Sequence, residues 1–367
     1  MIPSSLNVGR KKHFATSMKI IVAPDSYKEC LDAREVARAM AVGLKEAWAG
    51  EGKDSLEVVE MPLADGGEGT VRVLAAALGA RTVRATVTGP LGEPVEAEYA
   101  IAQPGPTAIL EVASACGLPL VPPEKRNPMH TTSRGVGELI LDALEKGCRH
   151  MLVGLGGTST CDGGAGMLSV PGLREKAAGT SIQALYDVDC PFYGPMGAAR
   201  IFGPQKGASP QEVEILDRRM QAMAEDILRE TGLDLQALPG AGAAGGLGGA
   251  MAAYLGARMR SGVDGILDLI DFDGAVKDAD LILTGEGKSD AQTLKGKAPL
   301  GVLRRSKGVP VALVSGAIND REELGKAGFR YLLPVTPEGT PREQAIDPET
   351  AVENIKKAVT ALIQYYA

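Results

Sequence analysis

The stretch His150–Met167, HMLVGLGGTSTCDGGAGM, sets the tightest limit on what this chain can fold into. Met151-Leu152-Val153-Gly154-Leu155 is a short apolar run of the kind that fills a buried strand. It leads into a turn that holds five glycines, Thr158, Ser159, Thr160 and one acid, Asp162. A helix is expected to start at Gly163 or Gly164. A strand that feeds a glycine turn and a helix start presents bare N–H groups and a positive dipole end, where phosphate oxygens fit. Asp162 would repel phosphate unless a metal ion or a substrate hydroxyl lay between them. That tension points to phosphoryl transfer.

The same order recurs along the chain. Lys19–Ala23 reads as a strand closed by Pro24, and Asp25-Ser26-Tyr27-Lys28-Glu29 as a polar loop. Asp32 and Glu35 have capping-box spacing. Val36, Met40, Leu44 and Trp48 repeat at four and predict the buried face of a helix. Leu56–Met61 is a second strand, followed by PLADGGEGT (62–70) and a helix to Leu78. Two strand–loop–helix units in succession imply a parallel sheet, with ligands beyond the carboxyl ends of its strands. After Gly79 the period changes to two. Val83, Ala85 and Val87, a Gly89–Gly92 turn, then Val95, Ala97, Tyr99 and Ile101 predict an antiparallel hairpin with one wet face. Thr107–Val112 and Ala184–Asp189 read as further strands, and Val136–Lys146 as a helix stopped by Gly147. Ser209, Pro210 and Glu212 predict a capped helix whose inner face is Val213, Leu216, Met220, Met223 and Ile227. The last third, with strands at Ala279–Thr284, Val309–Ser315 and Arg330–Val335, returns to strand–loop–helix order. It is expected to complete the first sheet, which makes that domain discontinuous.

Apolar residues at 44% and charged residues at 23% describe an ordinary soluble chain. A net charge of −7 and 4% aromatics argue against a nucleic-acid partner. Five scattered cysteines without a CxxC give neither a zinc site nor a disulfide framework, so reduced cytoplasmic thiols are expected. His13, His130 and His150 lie too far apart in sequence to suggest a histidine-based metal site or triad. No run reaches membrane-spanning length. Residues 1–17 are patternless and lack the apolar core of a signal peptide; they read as a mobile extension or tag remnant.

Two motif matches need weighing. GEGKS lacks the P-loop glycine, because Ile282 stands where it is required. GAGAAG (240–245) satisfies G-x-G-x-x-G, but it follows Leu238-Pro239 and a polar stretch rather than a convincing strand. Its glycines could serve close helix packing, a dinucleotide, or a helix start facing a nucleotide phosphate. Asp25, Asp65, Glu68, Asp162, Asp187, Glu286 and Asp290 each follow a predicted strand. One such acid is usually a helix cap; so many at one end of the strands suggest Mg²⁺ and a group that accepts a proton. Lys28, Arg126, Arg134, Lys206 and Lys297 lie in similar loops. Each alone reads as a surface charge; together they could hold a carboxylate and a moving phosphoryl group. Cys161 lacks a histidine base and makes a poor nucleophile.

KIIVAPDSYKE, PLADGGEGT, VTGPLGEPVEA, VPPEKRNPMHTTSRGVGELI, GLGGTSTCDGGAGM, FGPQKGA, PGAGAAGGLGGA and TGEGKSDAQTLKGKAPLGV together resemble the class I bacterial glycerate kinase family, in family order and over nearly everything after Met18. The resemblance implies ATP- and Mg²⁺-dependent phosphorylation of D-glycerate to 2-phosphoglycerate. It implies an α/β fold: a discontinuous flavodoxin-like parallel-sheet domain (18–80 plus 262–367), an inserted α/β domain (81–261), and an active site in the interdomain cleft. Two departures stand out. Leu168–Tyr186 is shorter than the family's usual segment, and Lys288 stands where an arginine is common.

On that reading Arg126 or Arg134 holds the glycerate carboxylate, with Ser26 and Asp25 as further substrate contacts. Asp162 orients or deprotonates the hydroxyl, with Asp65 its rival. Lys28, Lys206 or Lys297 offsets phosphoryl charge. Gly156, Gly157, Thr158, Gly242, Gly245, Gly246 and Lys297 approach ATP, and Asp187 and Glu286 bind Mg²⁺. The alternatives are a kinase for another small hydroxy acid, a nucleotide-sensing binding protein, and a dinucleotide-dependent oxidoreductase. Oligomeric state is left open, a homodimer being one option.

Overall fold

The computed structural model describes residues 17–50, 55–64, 69–103 and 105–366. Asp65, Glu68 and residues 1–16 of the expected extension lie outside them. The strands, in chain order, are β1 Ser17–Val22, β2 Ser55–Glu60, β3 Arg81–Thr88, β4 Pro94–Ala102, β5 Thr107–Glu111, β6 His150–Gly154, β7 Ser181–Tyr186, β8 Arg258–Ser261, β9 Leu281–Thr284, β10 Lys288–Ser289, β11 Val311–Ser315, β12 Ala317–Ile318 and β13 Tyr331–Pro334. The chain forms two compact units: one runs to Leu63 and resumes at Asp271, the other is Ala64–Ile270.

The first unit holds a five-stranded sheet in the order β13-β11-β9-β1-β2, every pair parallel. Counted within the sheet, this is the flavodoxin-like order 2-1-3-4-5. Ile20, Ile21 and Val22 of β1 are fully buried, as are all residues of β9 and β11. Continuous apolar runs are what a strand covered on both faces requires. The helix Ala33–Gly50 starts at a capping box: Asp32 Oδ1 accepts from the Glu35 N–H, and Glu35 Oε2 accepts from the Asp32 N–H. Its predicted face is buried, with Val36, Met40, Leu44 and Trp48 in the core beside Ile355, Val359 and Ile363 of the helix Pro348–Tyr366. Gly43 lets these two helices touch, since a Cβ there would stand 2.6 Å from Val359 Cγ2.

The second unit has six strands in the order β3-β4-β5-β6-β7-β8. The β3–β4 and β4–β5 pairs are antiparallel, and the pairs from β5 to β8 are parallel. The predicted hairpin turn is present, with the Gly89 N–H donating to Glu93 O. Its wet face ends early. Alternation holds to Glu98, but Tyr99, Ala100, Ile101 and Ala102 are all buried, where β5 joins the edge of β4.

The unit boundaries also differ from the expected 80/81 and 261/262. The helix Thr70–Ala77 lies on β4 and β5, and its Val71 N–H donates to Glu111 at 2.6 Å. The helix Gly262–Leu269 packs on β7 and β8. Contacts of this kind are invisible to a composition shift, so both helices fall in the second unit. Among the described residues, no helix is long and apolar enough to cross a membrane.

Candidate active site

In the second unit β6 delivers the glycine turn. Its residues are pinned on several sides. The Ser159 N–H and hydroxyl both donate to Cys116 O at 2.9 Å, Thr131 Oγ1 donates to Ser159 O, and the Leu118 N–H donates to Gly157 O. The expected helix is only the four-residue Ala165–Leu168, with left-handed Gly164 before it. Its first N–H groups are already taken. Asp162 Oδ1 accepts from the Gly164 N–H at 3.0 Å, and Oδ2 accepts from the Gly166 N–H, the Ser133 N–H and the Ser133 hydroxyl at 2.8–3.1 Å. The tension between acid and phosphate therefore resolves differently from the expectation: the acid occupies the helix start itself. Among the described residues Oδ1 accepts that one bond, and the residue is half-buried.

Lys206 is the second component. It is 5% exposed, and its ammonium donates to Thr160 O at 2.7 Å and Thr158 Oγ1 at 3.1 Å. Burying an ammonium is costly unless it is hydrogen-bonded, and two of its three protons are accounted for here. The short 3-10 turn Pro204–Lys206 holds it, closed by Gly207 at φ +96. A Cβ on Gly207 would stand 2.0 Å from Arg126 O, so only glycine lets the two loops meet. Arg126 is thereby placed beside the lysine turn. Its Nε donates to Val121 O at 3.2 Å, which fixes the plane of the guanidinium. The Cys161 and Cys116 thiols lie nearby; burial raises both, Cys116 to about 12, so neither is a nucleophile at neutral pH.

Other expected residues are committed elsewhere. Arg134 Nε bonds Glu138 at 2.8 Å, and Glu138 also accepts from the Thr88 N–H and hydroxyl. That arginine ties a helix to β3. Gly242, Gly245 and Gly246 are buried, and protein fills the side each leaves bare. A Cβ would meet Pro191 O at 2.2 Å, Thr160 O at 2.0 Å and Gly163 Cα at 2.8 Å respectively. Gly245 and Gly246 pack this stretch onto the 160–163 turn and Gly242 packs it onto Cys190 and Pro191, in line with the close-packing reading. No strand precedes them, so the dinucleotide pattern lacks its context. By contrast Gly157 is exposed and Gly156 half-exposed, next to buried Thr158.

In the first unit, the loops after β1 and β9 diverge at the point where the strand order reverses. The Asp25 N–H donates to Gly285 O at 2.9 Å, and Asp25 Oδ1 accepts from the Ser26 N–H at 2.7 Å. Asp25 is 9% exposed and Lys28 is exposed. Glu286 is a hub: Oε1 accepts from Thr293 Oγ1 at 2.6 Å and Ser289 Oγ at 3.2 Å, and Oε2 accepts from Lys297 Nζ at 2.9 Å. Lys297 is therefore the counter-ion of Glu286 in this arrangement. Lys288, in place of the family's arginine, pairs with Asp290 at 3.2 Å.

Among the described residues no group of three or more His, Cys, Asp or Glu is arranged to hold a metal ion. Mg²⁺ asks less, one or two carboxylates with substrate phosphates and water. Asp187 is exposed at the carboxyl end of β7.

Strand ends that carry a glycine turn, a buried lysine and an oriented arginine fit an α/β enzyme of the kinase class. The profile described as the glycerate kinase family matches residues 20–175 and 169–367. Its two segments meet inside the stretch that is short here, where two short helices, Ala165–Leu168 and Leu173–Ala177, carry the chain from β6 to a fully paired β7. The glycerate kinase of Bacillus subtilis (strain 168) is 40% identical, over 90% of this chain and 93% of its own. The glycerate 2-kinase of Escherichia coli (strain K12) is 42% identical, over 83% and 86%. A crystal structure assigned to a glycerate kinase 2 from Salmonella typhimurium LT2 matches with a TM-score of 0.82 at 37% identity, covering 95% of this chain and 99% of that one. The chain belongs to the glycerate kinase family.

Proposed function

We propose that this enzyme transfers the γ-phosphoryl group of ATP to the 2-hydroxyl of D-glycerate, giving 2-phosphoglycerate and ADP. The observation that carries the residue roles is the buried Lys206 ammonium, held against the glycine turn at the end of β6 by Thr158 Oγ1 and Thr160 O. Its charge would offset that on the moving phosphoryl group, where a fixed charge in a water-poor place acts most strongly. Gly156, Gly157 and Thr158 line the same turn and would receive phosphate oxygens. Arg126, its plane set by Val121 O, would take the substrate carboxylate through its terminal N–H groups. Asp162 Oδ1 would orient the attacking hydroxyl. As the new P–O bond forms and the bond to ADP breaks, the hydroxyl proton passes to Asp162 Oδ1. Phosphoryl transfer asks a protein chiefly for such positioning and charge compensation.

Mg²⁺, when bound, would screen the phosphate charge, and Asp187 and Glu286 remain proposed carboxylates to hold it. In the first unit, Asp25, Ser26 and Lys28 rim the switch-point loops and remain proposed ligand contacts. Asp65 remains proposed on sequence grounds alone. A cytoplasmic setting is proposed, which free thiols and an ATP-consuming reaction support.

Lys206→Met keeps the length and removes the charge. Its kcat should fall on the order of 10²-fold or more, as for losing one group that stabilises developing charge. A variant that is folded by circular dichroism and turns over normally would remove Lys206 from the chemistry. Rates with tartronate and lactate test the rival hydroxy-acid substrates; D-glycerate should give the highest kcat/KM.

A further inference from the structure

Ser133 stands where a helix cap belongs. It directly precedes the helix Arg134–Glu145, and its carbonyl accepts from the Val136 N–H, yet its hydroxyl makes no capping bond to that helix. A serine in this position ordinarily turns its oxygen onto the first N–H groups of its own helix, as Ser209 does for Pro210–Thr231. The Ser133 hydroxyl goes elsewhere. It donates to Asp162 Oδ2 at 2.8 Å, 29 residues along the chain, and the Ser133 N–H donates to the same oxygen at 2.9 Å.

The direction of the hydroxyl bond is fixed. The Met167 N–H donates to Ser133 Oγ at 3.0 Å. A hydroxyl has one proton to give, and a carboxylate oxygen accepts, so the serine proton lies toward Asp162. Ser133 is 0% exposed, so solvent does not stand in for that bond. The Gly166 N–H gives Oδ2 a third donor at 3.1 Å, while Oδ1 accepts from the Gly164 N–H. Gly166 also makes room for the serine segment, since a Cβ there would stand 2.8 Å from Ser133 N and 2.3 Å from Thr132 Oγ1. The terminal torsion of an aspartate is broad and two-fold. Three donors on one oxygen set the plane of the carboxylate and thereby the direction of the other oxygen.

We infer that Ser133 is a positioning residue for the phosphoryl transfer: it holds Asp162 Oδ2 so that Oδ1 meets the substrate hydroxyl. The inference rests on the proposed role of Asp162 as the group that takes the hydroxyl proton. It gives the two carboxylate oxygens separate tasks, one as anchor and one for the reaction. It also explains why this serine leaves its own helix uncapped. A carboxylate that can turn is aligned for only part of the time, which slows the chemical step and leaves ligand affinity alone.

Steady-state ADP release by the full chain with ATP, Mg²⁺ and D-glycerate tests this, each variant being assayed below its own melting. Ser133→Ala should lower kcat roughly tenfold, with the KM values for ATP and D-glycerate within about twofold of wild type. Ser133→Cys, which fills the site with a weaker donor, should fall part of the way. Ser133→Thr keeps the hydroxyl and should keep kcat within about threefold, although its added methyl lowers Tm. In the Asp162→Asn background, Ser133→Ala should change kcat by less than about twofold, because a residue that acts through Asp162 has nothing left to act on. Wild-type kcat in Ser133→Ala or Ser133→Cys, a threonine variant as slow as the alanine one, or the same fold loss with and without Asp162 overturns the inference and leaves the role of Asp162 standing. Normal turnover in Asp162→Asn overturns both.

Discussion

Ala244, Gly245 and Gly246 have φ values of +55, +68 and +93, three left-handed residues in a row. For alanine that conformation costs about 1–2 kcal/mol, so Ala244→Gly should raise Tm by a few degrees in a thermal scan. Gly245→Ala should do the reverse and more, because its Cβ would stand 2.0 Å from Thr160 O. A loss of at least about 2–3 kcal/mol in denaturant unfolding is expected. Asp162 holds four donors in place. Asp162→Asn has one acceptor oxygen instead of two, and should lose stability on the order of 2–3 kcal/mol. Its turnover, measured well below its own melting, should fall about 10²-fold or more; normal turnover in the folded variant would leave Asp162 as a loop anchor only. The residue types at this site could be read from the chain, but their partners could not. Nothing in the sequence says that Ser133 closes on Asp162, or that Lys206 is buried against the carbonyl of Thr160. Both depend on loops that meet only once β6 is in its sheet.

The helix Pro210–Thr231 shows what local rules can specify. Ser209 accepts from the Glu212 N–H, Glu212 returns a bond to the Ser209 N–H, and Pro210 takes the first turn. Asn127 Nδ2, the strongest influence, and Ser209 hold the Glu212 carboxyl down at about 2. Its unfolded value is about 4.3, so its contribution is complete above that pH and fades as pH falls toward 2. The Tm difference between wild type and Glu212→Gln should therefore be largest near neutrality and close by about pH 2. A constant gap across that range would mean that the carboxylate's charge is irrelevant to the cap. This helix, and the one whose face is Val36, Met40, Leu44 and Trp48, were legible because caps and four-residue repeats act within a few residues. Short helices such as Leu173–Ala177 and Arg321–Ala327 carry too few turns for a repeat. The membership of Thr70–Ala77 depends on β4 and β5, its neighbours in space.

Across the whole chain, strand–loop–helix order was enough to anticipate a parallel sheet completed by the last third, and β9, β11 and β13 do join β1 and β2. The eight sequence blocks anticipated the family. The pairing of Glu286 with Lys297 was not legible, because lysine pairing cannot be seen in a row of acids. The most direct measurement of the proposed reaction is ADP release from ATP and Mg²⁺, with and without D-glycerate, with the product read by phosphorus NMR. ADP formation should require D-glycerate and yield phosphate on the 2-oxygen. ADP release that ignores D-glycerate, or phosphate appearing on the 3-oxygen, would contradict it.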